Sequence, residues 1–362
     1  MKKIILTILG TRPQFIKAAI ISKLFTKTKK VDEIILHTGQ HYDKEMSETF
    51  FNELKLPRPH FNLNINEKSH GKMTGKMLIK IEEIINKVKP NLVLVYGDTN
   101  STLAGALAAS KLNIPLAHIE AGLRSFNKFM PEEINRIITD HTSNILFAPS
   151  KNAKKNLLKE GLNSKNIKVV GDVMYDVALK FINKKSNILK DQCIKSKSYI
   201  LVTIHRQENT DNYKNLKNIV LAFKEFSRDI PIIWPLHPRT KKRLLEYNLF
   251  EKINAYVKFV KPQSYINMIN LEKNSLLIAT DSGGIQKEAY YLKVPCITIR
   301  KETEWIELVN SKWNVLCPPS SKKNILKNLR SVSKQKTNKV NLYGKGNSSD
   351  KIVLEILNYL NH

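Results

Sequence analysis

Leu276-Leu-Ile-Ala-Thr-Asp-Ser-Gly-Gly-Ile-Gln-Lys-Glu-Ala-Tyr-Tyr291 is the stretch whose reading decides the fold. Leu276–Ala279 is a short, wholly apolar run, as expected of a strand buried on both faces. A polar turn, Thr280-Asp-Ser-Gly-Gly284, follows at once, and Gly284–Tyr291 then has helical spacing. Strand, glycine turn and helix in that order form half of a βαβ unit, whose strands lie parallel. The turn also has chemical content. Gly283 and Gly284 let a phosphate approach the backbone, Ser282 supplies a hydroxyl, and the helix N-terminus offers unpaired N–H groups and a positive dipole end. Glu288, one turn further in, is placed to accept hydrogen bonds from ribose hydroxyls. The competing reading is Ser282 as helix cap in a tight packing turn. The spacing is not GxGxxG and no Walker Lys-Ser pair is present. The turn therefore suits a nucleotide diphosphate held by backbone, without hydride transfer or ATP hydrolysis.

The same alternation runs outward in both directions. In the first half, Ile4–Leu9, Glu33–His37, Leu92–Tyr96, Leu116–Ile119 and Ile145–Ala148 read as strands. Helical patterns over Ile16–Phe25, Met73–Lys87 and Thr102–Lys111 lie between them. After Gly171 the pattern restarts with strands Tyr199–Thr203, Ile230–Trp234, Tyr256–Phe259, Leu276–Ala279 and Cys296–Ile299 and a helix over Asn215–Phe226. The chain of 362 residues is too long for one core and suits two domains of about 150–200 residues. The predicted fold class is α/β, with two Rossmann-like, doubly wound parallel-sheet domains. The first spans 1–170 and is completed by a terminal helix within 349–362; the second spans 171–348. Ligands of such sheets bind beyond the carboxyl ends of the strands, and a cleft between two such domains is the default site.

Composition excludes several classes. No apolar run approaches the ~20 residues of a membrane span, so no membrane insertion is expected. The opening Met1-Lys-Lys-Ile runs into a Gly-Thr-Arg-Pro turn without a cleavage pattern, and reads as a first strand, not a signal peptide. Cys193, Cys296 and Cys317 are scattered and without CxxC spacing, which favours a reducing compartment over a disulfide framework or a zinc site. The formal charge of +28 comes from 50 lysines and 10 arginines against 32 acids. The lysines are spread along the chain as solvated faces, without the aromatic interleaving of a nucleic-acid surface. The densest run, Lys322 to Lys345, reads as a solvated helix plus loop. Six of the ten arginines (Arg12, Arg124, Arg136, Arg206, Arg239 and Arg300) lie in or beside the motifs, where forked donors suit phosphates and carboxylates.

Acidic groups gather at strand ends of the first half. Asp98 follows Leu92–Tyr96, Glu120 follows Leu116–Ile119, and Glu132 and Glu133 lie in Met130-Pro-Glu-Glu-Ile-Asn-Arg136. Moving a proton on and off a carbon needs acid/base groups on both of its faces, and several carboxylates near one cleft provide them. Each also has a plain structural reading: Asp98 as helix cap, Glu132 or Glu133 as first-turn helix acids. Glu120 is the hardest to read that way. Basic groups match them. Gly10-Thr-Arg-Pro-Gln-Phe-Ile-Lys17 brings Arg12 and Lys17 to the first domain's edge. Leu201-Val-Thr-Ile-His-Arg206 brings His205 and Arg206 to the second's, and Leu236-His-Pro-Arg239 adds His237.

These five blocks, in this order over nearly the whole chain, resemble the non-hydrolysing UDP-N-acetylglucosamine 2-epimerase family. The resemblance implies the glycosyltransferase-B arrangement, a homodimer, a cytoplasmic enzyme of surface-polysaccharide precursor synthesis, and a UDP-sugar substrate. It implies no metal and no nucleotide cofactor. It also implies removal of the C2 proton with elimination of UDP, followed by re-addition with C2 inverted. Asp98, Glu120, Glu132 and His205 are then the catalytic candidates. Arg12, Lys17, Arg206, His237, Ser282, Gly283, Gly284 and Glu288 hold substrate. Pro13-Gln14, Ser69-His-Gly-Lys-Met73 and Thr303-Glu-Trp305-Ile look like members acting on UDP-2,3-diacetamido-2,3-dideoxyglucuronate, so the substrate stays divided between two sugars. Of an allosteric UDP-N-acetylglucosamine site only Gln40 and His237 match. A glycosyltransferase of the same architecture ranks below both readings.

Overall fold

The protein is described here by a computed structural model covering residues 2–40, 56–332 and 341–361. It divides into two compact units, Met1–Val177 with Asn341–His362, and Ala178–Val340. The first holds a seven-stranded sheet of β1 (Lys3–Leu9), β2 (Val31–His37), β3 (Phe61–Asn62), β4 (Leu92–Tyr96), β5 (Leu116–Ile119), β6 (Ile145–Ala148) and β7 (Ile167–Val169). Its order is β3-β2-β1-β4-β5-β6-β7, with every pairing parallel. The second holds β8 (Ile200–Thr203), β9 (Ile232–Pro235), β10 (Lys258–Val260), β11 (Leu277–Thr280), β12 (Cys296–Thr298) and β13 (Asn314–Leu316), ordered β10-β9-β8-β11-β12-β13 and again parallel. Both orders contain the Rossmann sequence 3-2-1-4-5-6. The expected α/β class with doubly wound parallel sheets is what the chain forms.

The central strands are apolar because helices cover both of their faces. All five residues of β4 are buried. Helix His70–Val88 turns Met77, Ile81 and Ile85 inward at a spacing of four, against Leu6, Val93 and Val95. In the second unit, helix Tyr213–Phe226 buries Leu216, Ile219, Val220, Phe223 and Phe226. There the Phe223 ring meets Trp234 of β9 edge-on, with centroids 5.7 Å apart at 89°. Each such side chain contributes about 1.5–3 kcal/mol by leaving water.

The strands absent from the sequence reading, β3, β7 and β13, are two or three residues long and lie at sheet edges. Too short to show a period, they are defined by the strand they pair with, as Phe61 is by Leu36. The terminal helix Ser348–Asn361 packs on helix Arg12–Thr28 and buries Ile352, Val353, Ile356 and Leu360. Its start is pinned where Asp176 Oδ2 accepts from the Ser349 N–H and hydroxyl, both at 2.6 Å. The basic run begins as helix Lys322–Val332, with Ile325, Leu326 and Leu329 buried; its residues 333–340 lie outside the described residues. Among the described residues no helix is long and apolar enough to cross a membrane. The three cysteines are unpaired, Cys193 exposed and the others buried.

Candidate active site

In an open parallel sheet the crevice opens where the strand order reverses. That point lies between β1 and β4 in the first unit and between β8 and β11 in the second. Most of the residues singled out by the sequence follow these four strands and β5, while His237 follows β9 and Glu132 opens helix Pro131–Thr142.

In the first unit, β1 ends in Gly10 and helix Arg12–Thr28 starts two residues later. Its first turns place half-buried Arg12 and buried Lys17 at the switch point. Lys17 Nζ lies 2.6 Å from Glu120 Oε2, the side chains 6% and 11% exposed. Glu120, just past β5, has φ +78°. A non-glycine residue held in the left-handed region is uncommon and characteristic of constrained functional turns.

Asp98 follows β4 through Gly97. It does not cap the next helix: Thr99 is the cap, accepting from the Thr102 N–H. The Asp98 carboxylate instead receives Arg136, from Nε at 3.0 Å and Nη2 at 2.7 Å. The Arg136 Nη1 goes to Glu133 at 2.8 Å. The two adjacent glutamates thus separate. Glu133 is buried and accepts from the N–H and hydroxyl of Ser125 and the N–H of Phe126, so it holds the loop before the helix. Glu132, in the same first turn of helix Pro131–Thr142, is half-buried.

Behind these groups lies a buried layer that the sequence reading did not assign. His118 in β5 bonds Asp140 through Nδ1 and the Gly97 carbonyl oxygen through Nε2, both at 2.7 Å. Asp140 also accepts from the Gly122 N–H and pairs with Arg124. Burial raises its proton affinity, but the hydrogen bond and charge of His118 and the Arg124 guanidinium outweigh it, holding the carboxyl below its ordinary value. Arg124, in turn, forks onto Glu160 through Nε and Nη2 at 2.7 Å each. The turns at Gly97 and Gly122, flanking Asp98 and Glu120, therefore rest on one ionic framework.

In the second unit, His205 and Arg206 follow β8, and Asp281-Ser-Gly-Gly284 follows β11. Asp281, fully buried, ties the two turns together. It accepts from the N–H groups of His205 and Arg206 at 3.0 Å each and from Asn209 Nδ2 at 3.0 Å, with His205 Nδ1 at 3.3 Å. The His205 ring stands 5.7 Å from that of His237, centroid to centroid. Ser282 sits at the N-cap of helix Gly283–Tyr291, but its hydroxyl makes no capping bond, which removes the capping explanation for that side chain. The two glycines differ. A Cβ on Gly283 would lie 2.5 Å from Glu304 Oε1, whereas one on Gly284 meets only Ser282 Oγ, at 4.0 Å. Neither has a positive φ; Gly283 packs closely against Glu304 and Gly284 leaves open space before the helix N-terminus. Glu288 is buried one turn on. Asp281 had a signal in the sequence, as the first acid after an apolar run; Asp140 had none, because its partners lie at least 16 residues away in the chain.

Two Rossmann-like units, one with carboxylate–cation pairs at its switch point and the other with a helix-N-terminal glycine turn, define an enzyme of nucleotide-linked substrates. Residues 23–357 match the model of the family described as UDP-N-acetylglucosamine 2-epimerase, and the chain belongs to that family. It is 56% identical, over 98% of its length and 99% of the relative's, to a UDP-N-acetylglucosamine 2-epimerase homolog of Methanococcus maripaludis. It is 48% identical to the UDP-2,3-diacetamido-2,3-dideoxy-D-glucuronate 2-epimerase of Pseudomonas aeruginosa, over 96% of this chain and 98% of that one. A crystal structure of the Methanocaldococcus jannaschii UDP-GlcNAc 2-epimerase in complex with UDP-GlcNAc and UDP matches with a TM-score of 0.91 at 48% identity, covering 99% and 100% of the two chains.

Proposed function

We propose that this enzyme inverts C2 of a UDP-linked 2-acetamido sugar, interconverting UDP-N-acetylglucosamine and UDP-N-acetylmannosamine. The observation that carries the reading is the close pairing of Lys17 with Glu120 beside that of Arg136 with Asp98 at one switch point. A carboxylate takes the C2 proton, the C1–O bond breaks, and UDP leaves with its electron pair, giving a 2-acetamidoglycal. Protonation of C2 on the opposite face and return of UDP to C1 complete the inversion. Asp98, Glu120, Glu132 and His205 are the candidates for these proton transfers. Arg12, Lys17, Arg206, His237, Ser282, Gly283, Gly284 and Glu288 are assigned to holding UDP. UDP must stay bound, since its escape would turn epimerisation into elimination. The reading carries with it a cytoplasmic homodimer serving surface-polysaccharide precursor synthesis, its oligomeric state checked by sedimentation.

The same chemistry on UDP-2,3-diacetamido-2,3-dideoxyglucuronate is the second reading. It is favoured by the Pro13-Gln14 and Thr303-Glu-Trp305-Ile stretches, which resemble members acting on that sugar, and by the Pseudomonas relative. Offering each UDP-sugar separately in deuterated water tests both: the true substrate yields a C2 epimer carrying deuterium at C2. An epimer without deuterium contradicts proton abstraction there. Acceptor-dependent UDP release without an epimer supports a glycosyltransferase instead.

A further inference from the structure

His70 opens helix His70–Val88 and is exposed; no step of the proposed reaction uses it. Helices of a parallel sheet run against its strands, so this helix starts at the carboxyl edge, where the crevice lies. The ring does not cap the helix. Ser69 does, its hydroxyl accepting from the Lys72 N–H at 3.2 Å. Two amides instead tie His70 to the turn that carries Asp98. The Asp98 carbonyl oxygen can only accept, and it takes Asn135 Nδ2 at 2.9 Å. The same Nδ2 faces Asn100 Oδ1 at 3.4 Å, which fixes Oδ1 as the accepting end of Asn100. The donating end, Nδ2, is then the one that meets His70 Nδ1, at 3.1 Å against 3.5 Å for Oδ1. Asn100 and Asn135 are buried, so the order of donors is set from inside the protein. With Nδ1 accepting, the proton of the neutral ring stands on Nε2. Nε2 makes no bond among the described residues. The next residue leaves room as well, since a Cβ on Gly71 would meet nothing within 4 Å.

We propose that His70 is a substrate-binding residue: its Nε2–H donates to an acceptor oxygen on the sugar of the UDP-sugar. The inference rests on the C2-inversion reading. It gives the first unit a grip on the sugar separate from the carboxylates that move the proton, in the way a few placed polar groups orient a ligand.

The test compares His70→Asn and His70→Gln with wild type, on whichever UDP-sugar the wild type epimerises with deuterium entering C2. An Asn amide reaches the place of Nδ1 and keeps the bond to Asn100. A Gln amide reaches the place of Nε2 and keeps the outward donor. Because the position is exposed, both variants should melt as wild type. His70→Asn is expected to lose about tenfold in kcat/KM, the worth of one hydrogen bond, and His70→Gln to stay within about threefold of wild type. UDP affinity, measured by calorimetry, should be unchanged in both, since the contact is to the sugar. Wild-type kcat/KM in His70→Asn overturns the inference. So does a loss in His70→Gln as large as that in His70→Asn or larger, which marks the bond to Asn100 as the one that matters. A loss of UDP affinity in His70→Asn that matches its loss in kcat/KM puts the contact on the nucleotide and overturns it too. A wrong functional reading has a different signature, the absence of C2 deuteration in the wild type itself.

Discussion

Lys17 Nζ and Glu120 Oε2 stand 2.6 Å apart at the end of the first sheet, with both side chains largely out of water. Desolvation makes such a pair costly to break from one side. Removing one partner leaves a buried charge uncompensated, while removing both is far milder. Glu120→Gln is therefore expected to lower stability by about 3 kcal/mol and turnover by about a thousandfold. Adding Lys17→Met should restore most of the stability and none of the activity. Urea unfolding and C2 deuteration on the same preparations check this. Full stability in the single variant contradicts the buried pair.

Asp98 is held by two donors of Arg136 while its side chain remains 30% exposed. Asp98→Asn keeps its shape and loses its charge. It is expected to cost about a hundredfold or more in turnover with UDP affinity, measured by calorimetry, nearly unchanged. Glu133→Gln is different, because that carboxylate holds the loop at Ser125 and Phe126. Its loss should appear as about 2 kcal/mol of stability. Equal effects of the two variants on both readouts would contradict the separation of roles.

The two glycines of the phosphate turn make opposite predictions. Gly284→Ala adds a methyl to open space, so the fold should melt as wild type while UDP binding weakens by at least about tenfold. Gly283→Ala drives a methyl into the Glu304 carboxylate, which is paired with Arg300 at 2.9 Å, and should lower the melting temperature. Unchanged UDP affinity in Gly284→Ala, or in the bulkier Gly284→Trp, counts against a diphosphate at this helix N-terminus.

Glu33 of β2 accepts from the Thr7 hydroxyl at 2.6 Å. Burial nonetheless outweighs that hydrogen bond and pushes its carboxyl up from the ordinary 4.5 to about 7. The native state therefore keeps this proton to higher pH than the unfolded chain. Its contribution to stability is full below about pH 4.5 and is lost as pH rises through about 7. Glu33→Gln removes that loss and should gain about 3 kcal/mol on wild type between about pH 4.5 and pH 8. Urea titrations at the two pH values measure it, and parallel pH dependence of the two proteins contradicts an enclosed carboxyl.

The strands that build the sheet centres were legible residue by residue. Leu92–Tyr96 and Ile145–Ala148 are apolar throughout, and Leu116–Ile119 is so apart from His118, because helices cover both faces. Phe61–Asn62, Ile167–Val169 and Asn314–Leu316 were not, because an edge strand of two or three residues is set by its neighbour and not by its own pattern. Positions at strand ends were equally legible, since Asp98, Glu120, His205 and Ser282 each follow an apolar run. Their partners were not. Arg136 lies 38 residues beyond Asp98, and Asp281 lies 76 beyond His205; no local period encodes such pairings. The choice between cap and ion pair at Asp98 could be made only when Thr99 was seen to cap the helix.

The most direct test is the isotope at C2. Incubated in deuterated water with its UDP-sugar and no acceptor, the enzyme should yield the C2 epimer with one deuterium at that carbon, and Glu120→Gln should yield almost none. An epimer that keeps its original hydrogen, or equal incorporation by the variant, contradicts the assignment of the carboxylates beside Lys17 and Arg136 to proton transfer.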